Sequence, residues 1–161
     1  MHQINNNKIK INFLENLDEK IDKQMSDDLI AYEASHRIDV NYKRLSITIS
    51  NENDEVCGVL NAYTAFAEIY IDDMWVASAY RGKGYGKHLL QALEDHFKGQ
   101  GFNNINLVTS AFQAPEFYRK YGFTEEFTRI NKINPKLSKT FFVKFFEDEN
   151  QTQGLLYDLS K

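Results

Sequence analysis

The chain has 161 residues, of which 42% are hydrophobic and 14% aromatic, and this composition excludes a mainly disordered or low-complexity protein. Its formal net charge of −4 argues against nucleic acid as the partner, because phosphate backbones attract basic surfaces. The only cysteine is Cys57, which excludes an intrachain disulfide.

No segment has the apolar core of a signal peptide or the roughly 20 apolar residues that a membrane span requires. We therefore expect a cytoplasmic protein that binds neither membrane nor nucleic acid. Residues 1–147 are expected to form one domain, and residues 148–161 an apolar tail that docks on a surface. The four histidines lack the spacing of metal ligands, so no metal site is expected.

The first half of the chain is predicted to be rich in strands. Alternating apolar residues predict strands at 8–14, 44–50, 56–66 and 67–78, and the turn-rich residues between the second and third of these predict a hairpin. Apolar residues at helical spacing predict one or two amphipathic helices over 17–37.

The period of the hydrophobic pattern changes in the second half. Residues 86–98 predict a helix that glycines end, and residues 105–110 predict a buried strand. A proline opens a short predicted helix at 115–122, and the closing strands are predicted at 123–130 and 140–147. One strand–helix–strand crossover among many strands indicates an α/β fold with a mixed sheet.

The segment "YRGKGYGKHLL", residues 80–90, places three glycines between a predicted strand and a predicted helix. Exposed amides at the start of a helix attract anions, so this loop is expected to bind phosphate rather than to be only a tight turn. The glycine spacing fits neither the dinucleotide fingerprint nor the triphosphate-binding loop.

Three correctly ordered motifs carry a family resemblance. "RGKGYG" (81–86) fits the R/Q-x-x-G-x-G/A signature of acyltransferases that bind acetyl-coenzyme A, Val76 precedes it by five residues, and "FYRKYGF" (117–123) fits a helix-and-strand motif. With these motifs the chain resembles the GNAT (GCN5-related N-acetyltransferase) superfamily. That resemblance implies a mostly antiparallel twisted sheet, flanked by helices and splayed between its fourth and fifth strands.

The resemblance also implies a site for acetyl-CoA. The pantetheine arm would pair with the backbone of the fourth strand, and the amides of residues 82–87 would hold the pyrophosphate. Many relatives have a coenzyme-binding asparagine where this chain has Ala111, and Gln113 is a candidate replacement. The candidate coenzyme-binding residues are Met74, Trp75, Val76, Arg81, Gly82, Lys83, Gly84, Tyr85, Gly86, Lys87, Gln113 and Phe117.

Acetyl transfer to an amine requires a base, an oxyanion donor and an acid. Glu68 and Asp72 are the candidate bases. Both lie an even number of residues from Val76, so their side chains could face the same side of the strand unless a bulge intervenes. The resemblance implies the amide at or next to Val76 as oxyanion donor, and Tyr118 as the acid that protonates the departing thiolate.

The expected function is acetyl-CoA-dependent N-acetylation of a primary amine by direct attack in a ternary complex. The alternatives are a non-catalytic CoA-binding sensor and a structural protein that binds phosphate. Small-molecule, peptide and protein amines are all open as acceptors, and the protein is expected to be a monomer or a homodimer.

Overall fold

The structure is a computed structural model that describes residues 9–147. This part of the chain forms two compact units, residues 9–40 and residues 41–147. The assignment of residues 1–147 to one domain stays a prediction, and the predicted docking tail, 148–161, lies outside the described residues.

The first unit contains one helix, α1 (Glu19–Ser35), where the sequence predicts one or two. It begins at Asp18, whose carboxylate accepts a hydrogen bond from the amide of Lys20 at 3.0 Å and so caps the first turn. The predicted strand at 8–14 is wrong, because residues 9–14 form neither strand nor helix. Their alternating pattern suits a strand, but no neighbouring strand pairs with them.

The second unit is built on a six-stranded sheet in the order β1-β2-β3-β4-β6-β5. All neighbouring strands are antiparallel except β3 and β4, which confirms the predicted mixed, mostly antiparallel sheet. The strands are β1 (Lys43–Ser50), β2 (Val56–Ala65), β3 (Glu68–Val76), β4 (Asn104–Ser110), β5 (Thr124–Arg129) and β6 (Lys139–Phe145).

Helix α2 (Tyr85–Phe97) is the crossover between β3 and β4, and α3 (Pro115–Lys120) lies between β4 and β5. The predicted apolar face of α2 is buried, because Leu89, Leu90, Leu93 and Phe97 join the core. Their partners come from the inner face of the sheet, where strand residues alternate between core and solvent. The buried strand residues of this core include Leu60, Ala62, Ile69, Ile71, Ile105, Leu107 and Phe142.

The two halves of the sheet meet at β3 and β4 through only three residue pairs. These pairs run from Glu68 with Asn104 to Tyr70 with Asn106, all at the beginning of the two strands. Beyond Tyr70 the strands diverge, so the rest of β3 has a hydrogen-bonding edge that β4 does not cover. The divergence agrees with the splay that the family resemblance implies.

A β-bulge interrupts β3 at Asp72. On β2, Asn61 pairs with Asp73 and Ala62 pairs with Ile71, so Asp72 has no partner in the register. The bulge shifts the alternation of side chains between the two faces of β3 by one residue. The prediction that the side chains of Glu68 and Asp72 share the face of Val76 is therefore wrong.

Candidate active site

The divergence of β3 and β4 opens a cleft of about 690 Å³. Its walls come from β3, from the loop before α2, from β4 and from α3. Predicted residues from two segments line this cleft, Asp72 on β3 and Arg81 with Gly82 on the loop, and Asp73 lines it as well. The fold therefore brings the glycine loop and acidic side chains to one cavity.

The glycine loop has the conformation that its sequence predicts. Gly82 and Gly84 have φ values of +73° and +84°, which L-residues rarely adopt. None of the amides of residues 82–87 donates a hydrogen bond to another residue in the described range, and the first amide of α2 bonded within the helix is that of His88, to the Gly84 carbonyl at 3.1 Å. The loop therefore presents six successive unpaired amides.

Gly86 has a different role from the two glycines before it. A Cβ built at Gly86 would lie 2.8 Å from Cζ of Phe117, well inside the normal contact distance of carbon atoms. Glycine at this position therefore allows the first turn of α2 to pack directly on the aromatic ring from α3. This contact holds two walls of the cleft together.

Arg81 fixes the end of β3 to the loop. Its Nε donates a hydrogen bond to the carbonyl oxygen of Val76 at 3.0 Å, across the five-residue spacing noted in the sequence. One of the five guanidinium N–H donors of Arg81 is therefore used by the backbone, and the residue also lines the cleft.

The backbone of β3 faces the cleft at alternate residues. The amide of Ala77 bonds to the Cys57 carbonyl on β2 at 2.9 Å. Because N–H and C=O groups of an antiparallel strand alternate between its two edges, those of Met74 and Val76 point away from β2. The amide of Val76, at or next to which the resemblance implies the oxyanion donor, is therefore on the side where β3 and β4 diverge.

Tyr118 is the buried phenol of the cleft. Its ring is only 8% exposed and contacts the rings of Phe117, Phe123 and Phe142. Burial raises the pKa of its hydroxyl above the ordinary value, so the group is a neutral proton donor at pH 7. No hydrogen bond joins its hydroxyl to another group in residues 9–147, and since no fully buried side-chain oxygen in this range lacks a partner, the hydroxyl is accessible from the cleft that the residue lines.

The three carboxylates of β3 differ in what they contact. Asp72 forms an ion pair with Arg44, and Glu68 accepts a hydrogen bond from the hydroxyl of Tyr70. The Glu68 bond raises the pKa of Tyr70 to about 12. Asp73 has no cationic partner in the described part of the chain, and its nearest polar contact is a long one of 3.4 Å to Asn61.

Comparison with known proteins identifies the family. A model described as the Acetyltransferase (GNAT) family matches residues 12–123, well over half of the chain. The chain belongs to the GNAT family. It is 31% identical over 118 residues to the acetyltransferase Atu2258 of Agrobacterium fabrum, covering 73% of this chain and 83% of that protein.

Solved structures support the same assignment of this GNAT acetyltransferase. A crystal structure of an acetyltransferase from Bacillus cereus superposes with a TM-score of 0.69 at 28% identity, over 84% of this chain and 98% of that one. An aminoglycoside 6'-N-acetyltransferase complexed with coenzyme A has the same fold, with a TM-score of 0.57 at 17% identity, over 85% of this chain and 97% of that one.

In this GNAT acetyltransferase, nearly all residues predicted for the site line the one cleft. Two do not: Lys83 on the loop and Glu68 at the beginning of β3. Those that do are Asp72, Met74, Trp75, Val76, Arg81, Gly82, Gly84, Tyr85, Gly86, Lys87, Gln113, Phe117 and Tyr118. Their catalytic and coenzyme-binding roles stay predictions.

The oxygen of the Gln113 side chain accepts hydrogen bonds from the amide of Ser110 at 2.9 Å and from the hydroxyl of Thr109 at 3.4 Å. It therefore stabilises the turn after β4, where the resemblance places a coenzyme contact.

Sequence reasoning missed Lys120 and Tyr121, which also line the cleft. The signal was available, because both lie inside the "FYRKYGF" motif, but a helix of six residues has too little pattern to show which of its faces is exposed. Asp73, which also lines the cleft, is not among the candidate bases predicted from the sequence, because the bulge beside it is not visible there.

No helix within residues 9–147 combines the length and apolar character that crossing a membrane requires. The same residues contain no cluster of side chains suited to a metal ion.

Proposed function

We propose that this GNAT acetyltransferase takes its acetyl group from acetyl-CoA and transfers it to a primary amine by direct attack within a ternary complex. The run of six unpaired amides at residues 82–87 is the observation that supports this most. Neighbouring free amides suit the oxygens of a diphosphate, and a diphosphate is the central charged group of coenzyme A.

The pantetheine arm would extend the sheet along the free edge of β3. Its amides match the backbone groups of Met74 and Val76, which point away from β2, in the way a peptide adds to an exposed strand. In this position the thioester oxygen would lie within reach of the Val76 amide. That amide would stabilise the oxyanion that forms when the carbonyl carbon is attacked.

The acceptor nitrogen forms the new C–N bond, and the C–S bond of the thioester then breaks. The departing thiolate takes the proton of the Tyr118 hydroxyl, which burial keeps neutral, and the phenolate is reprotonated by the proton that the acceptor nitrogen loses as the amide forms. A protonated amine must lose a proton before attack, and we assign this step to Asp73 or to a water held by it. Asp72 is already paired with Arg44, and Glu68 does not line the cleft.

The decisive experiment combines coenzyme binding with turnover. We expect CoA and acetyl-CoA to bind the purified protein in calorimetry, and free CoA to be released with a panel of polyamines, aminoglycosides, amino acids and peptides. Tyr118→Phe should keep the affinity for CoA and lose rate by about 10²-fold or more, because only the proton donor is removed.

The matched control is Tyr63→Phe. Tyr63 stacks on Tyr70 outside the cleft, so removing its hydroxyl should leave turnover unchanged. Absence of CoA binding would refute the proposal as a whole. Full activity of Tyr118→Phe would refute the proton transfer alone, and coenzyme binding without turnover of any amine would favour a sensor.

A further inference from the structure

Two groups of cations lie near α2 and α3, and those of the first group form ion pairs with carboxylates. Arg119 forms ion pairs with Glu116 and with Glu125, the latter at 2.7 Å. Lys144 lies 2.6 Å from a carboxylate oxygen of Glu94. The positive charges of these two side chains are therefore balanced by carboxylates of the protein itself.

The second group consists of cations that line the cleft itself. Within residues 9–147 these are Arg81, Lys87 and Lys120. Arg81 is bonded to the Val76 carbonyl, whereas neither lysine has a carboxylate within 4.0 Å in the described chain. All three positive charges on the cleft wall are therefore unneutralised in the described chain, and the two lysines differ from Arg81 in having no hydrogen bond to a protein group.

The two lysines lie close to one aromatic ring. The ammonium of Lys120 is 5.6 Å from the ring centroid of Tyr121, and Tyr121 and Lys87 also line a small second cavity together. Lys87 belongs to the first turn of α2, beside the six free amides, whereas Lys120 is at the end of α3 on the other wall. Lys87 is thus placed to assist the diphosphate, which leaves Lys120 without an anion to bind.

Coenzyme A carries one further anion, a phosphate monoester on the 3'-oxygen of its ribose. Resting on the function proposed above, we propose that Lys120 binds this ribose phosphate, so that the enzyme distinguishes coenzyme A from its 3'-dephospho form. Lys87 then serves the diphosphate, which both forms share. The positions support this division, since Arg81 and Lys87 lie on the glycine loop and the first turn of α2, whereas Lys120 lies on α3, on the other wall.

The test compares the dissociation constants of CoA and 3'-dephospho-CoA by calorimetry. We expect the wild-type protein to bind CoA about tenfold more tightly, as one charge-assisted contact to phosphate would provide. Lys120→Ala should bring the two constants together by weakening CoA alone, and Lys120→Arg should retain the preference. Lys87→Ala should weaken both ligands by a similar factor.

The control is Lys136→Ala, which removes an exposed lysine that does not line the cleft. It should behave as wild type. Equal affinities of the wild-type protein for the two ligands, or an unchanged preference in Lys120→Ala, would overturn the ribose phosphate assignment while leaving the proposed function intact. Failure of the wild-type protein to bind either ligand would overturn both.

Discussion

Replacing Gly86 by alanine tests the packing of α2 on α3. The new Cβ would meet Cζ of Phe117 at 2.8 Å and Cε2 at 3.2 Å. Ordinary carbon–carbon contacts lie at about 3.5–4.0 Å, so the ring and the helix must separate by roughly 1 Å. The ring also contacts Tyr118 and Tyr121, with centroids 5.2 and 4.8 Å away, so it has little freedom to retreat.

Two effects of opposite sign set the magnitude. Overpacking of this kind typically costs about 1–3 kcal/mol, whereas alanine in place of glycine in a helix contributes about 1 kcal/mol of stability. Gly86→Ala should therefore lower the free energy of unfolding by about 0–2 kcal/mol. In a Phe117→Leu background, which lacks the two clashing atoms, the same substitution should have no cost or should stabilise.

The assay is a double-mutant cycle by urea unfolding of the wild type, the two single variants and the double variant. We expect a coupling energy of about 1–3 kcal/mol between Gly86 and Phe117. Thermal unfolding should show the same coupling as a shift of about 2–4 °C for each kcal/mol. If Gly86→Ala has the same effect in both backgrounds, to within about 0.5 kcal/mol, the steric explanation is wrong.

Three further predictions concern the loop, the base and acid stability. Gly84→Ala should lower the free energy of unfolding, measured with urea, by about 1–2 kcal/mol, and Gly84→Asn should lower it by less. The cost comes from the backbone, because φ is +84°, a value that asparagine adopts more readily than alanine, and no atom lies within 4 Å of the added Cβ. Equal losses in the two variants would point to a steric cause instead. Asp73→Asn should lower kcat/KM and make the rate rise with pH towards the amine pKa of about 10. The control Asp54→Asn, in an exposed turn, should have neither effect. A wild-type pH profile for Asp73→Asn would exclude Asp73 as the base. The hydrogen bond from Arg119 lowers the pKa of Glu125 in the folded protein. The pair therefore stabilises the fold at pH values above the pKa of Glu125 in the unfolded chain, and this stabilisation is lost as the pH falls through the lowered pKa of the folded state. The urea midpoint of Glu125→Gln should therefore lie below wild type at pH 7 and merge with it in acid, and a constant difference would contradict this linkage.

The loop and the following helix were predictable because their signals are local. Glycine spacing in 82–86 sets the backbone, and the apolar residues of α2 repeat with the period of the helix. The short helix α3 was found through its proline, which suits a first helical turn. Family motifs then placed Tyr118 in the cleft, which the phenol's own surroundings in the sequence do not indicate.

The features that the sequence did not predict depend on pairing between distant segments. Residues 9–14 alternate like a strand, but strand formation requires a free edge elsewhere in the chain. The bulge at Asp72 arises from the register between β2 and β3 and leaves no mark in "IYIDDMWV". The significance of Lys120 appears only when each carboxylate is matched with its cation in three dimensions.

The interruption of β3 at Asp72 divides the strand into two stretches with different registers against β2. Asp73 and Val76 belong to the same stretch, three residues or roughly 10 Å apart, whereas Glu68 to Ile71 lie before the bulge. A substitution in the first stretch can therefore change the pairing there while Met74 and Val76 keep their register on β2. On the function proposed above, this arrangement would allow the beginning of β3 to vary in sequence without displacing the edge along which the coenzyme arm would extend.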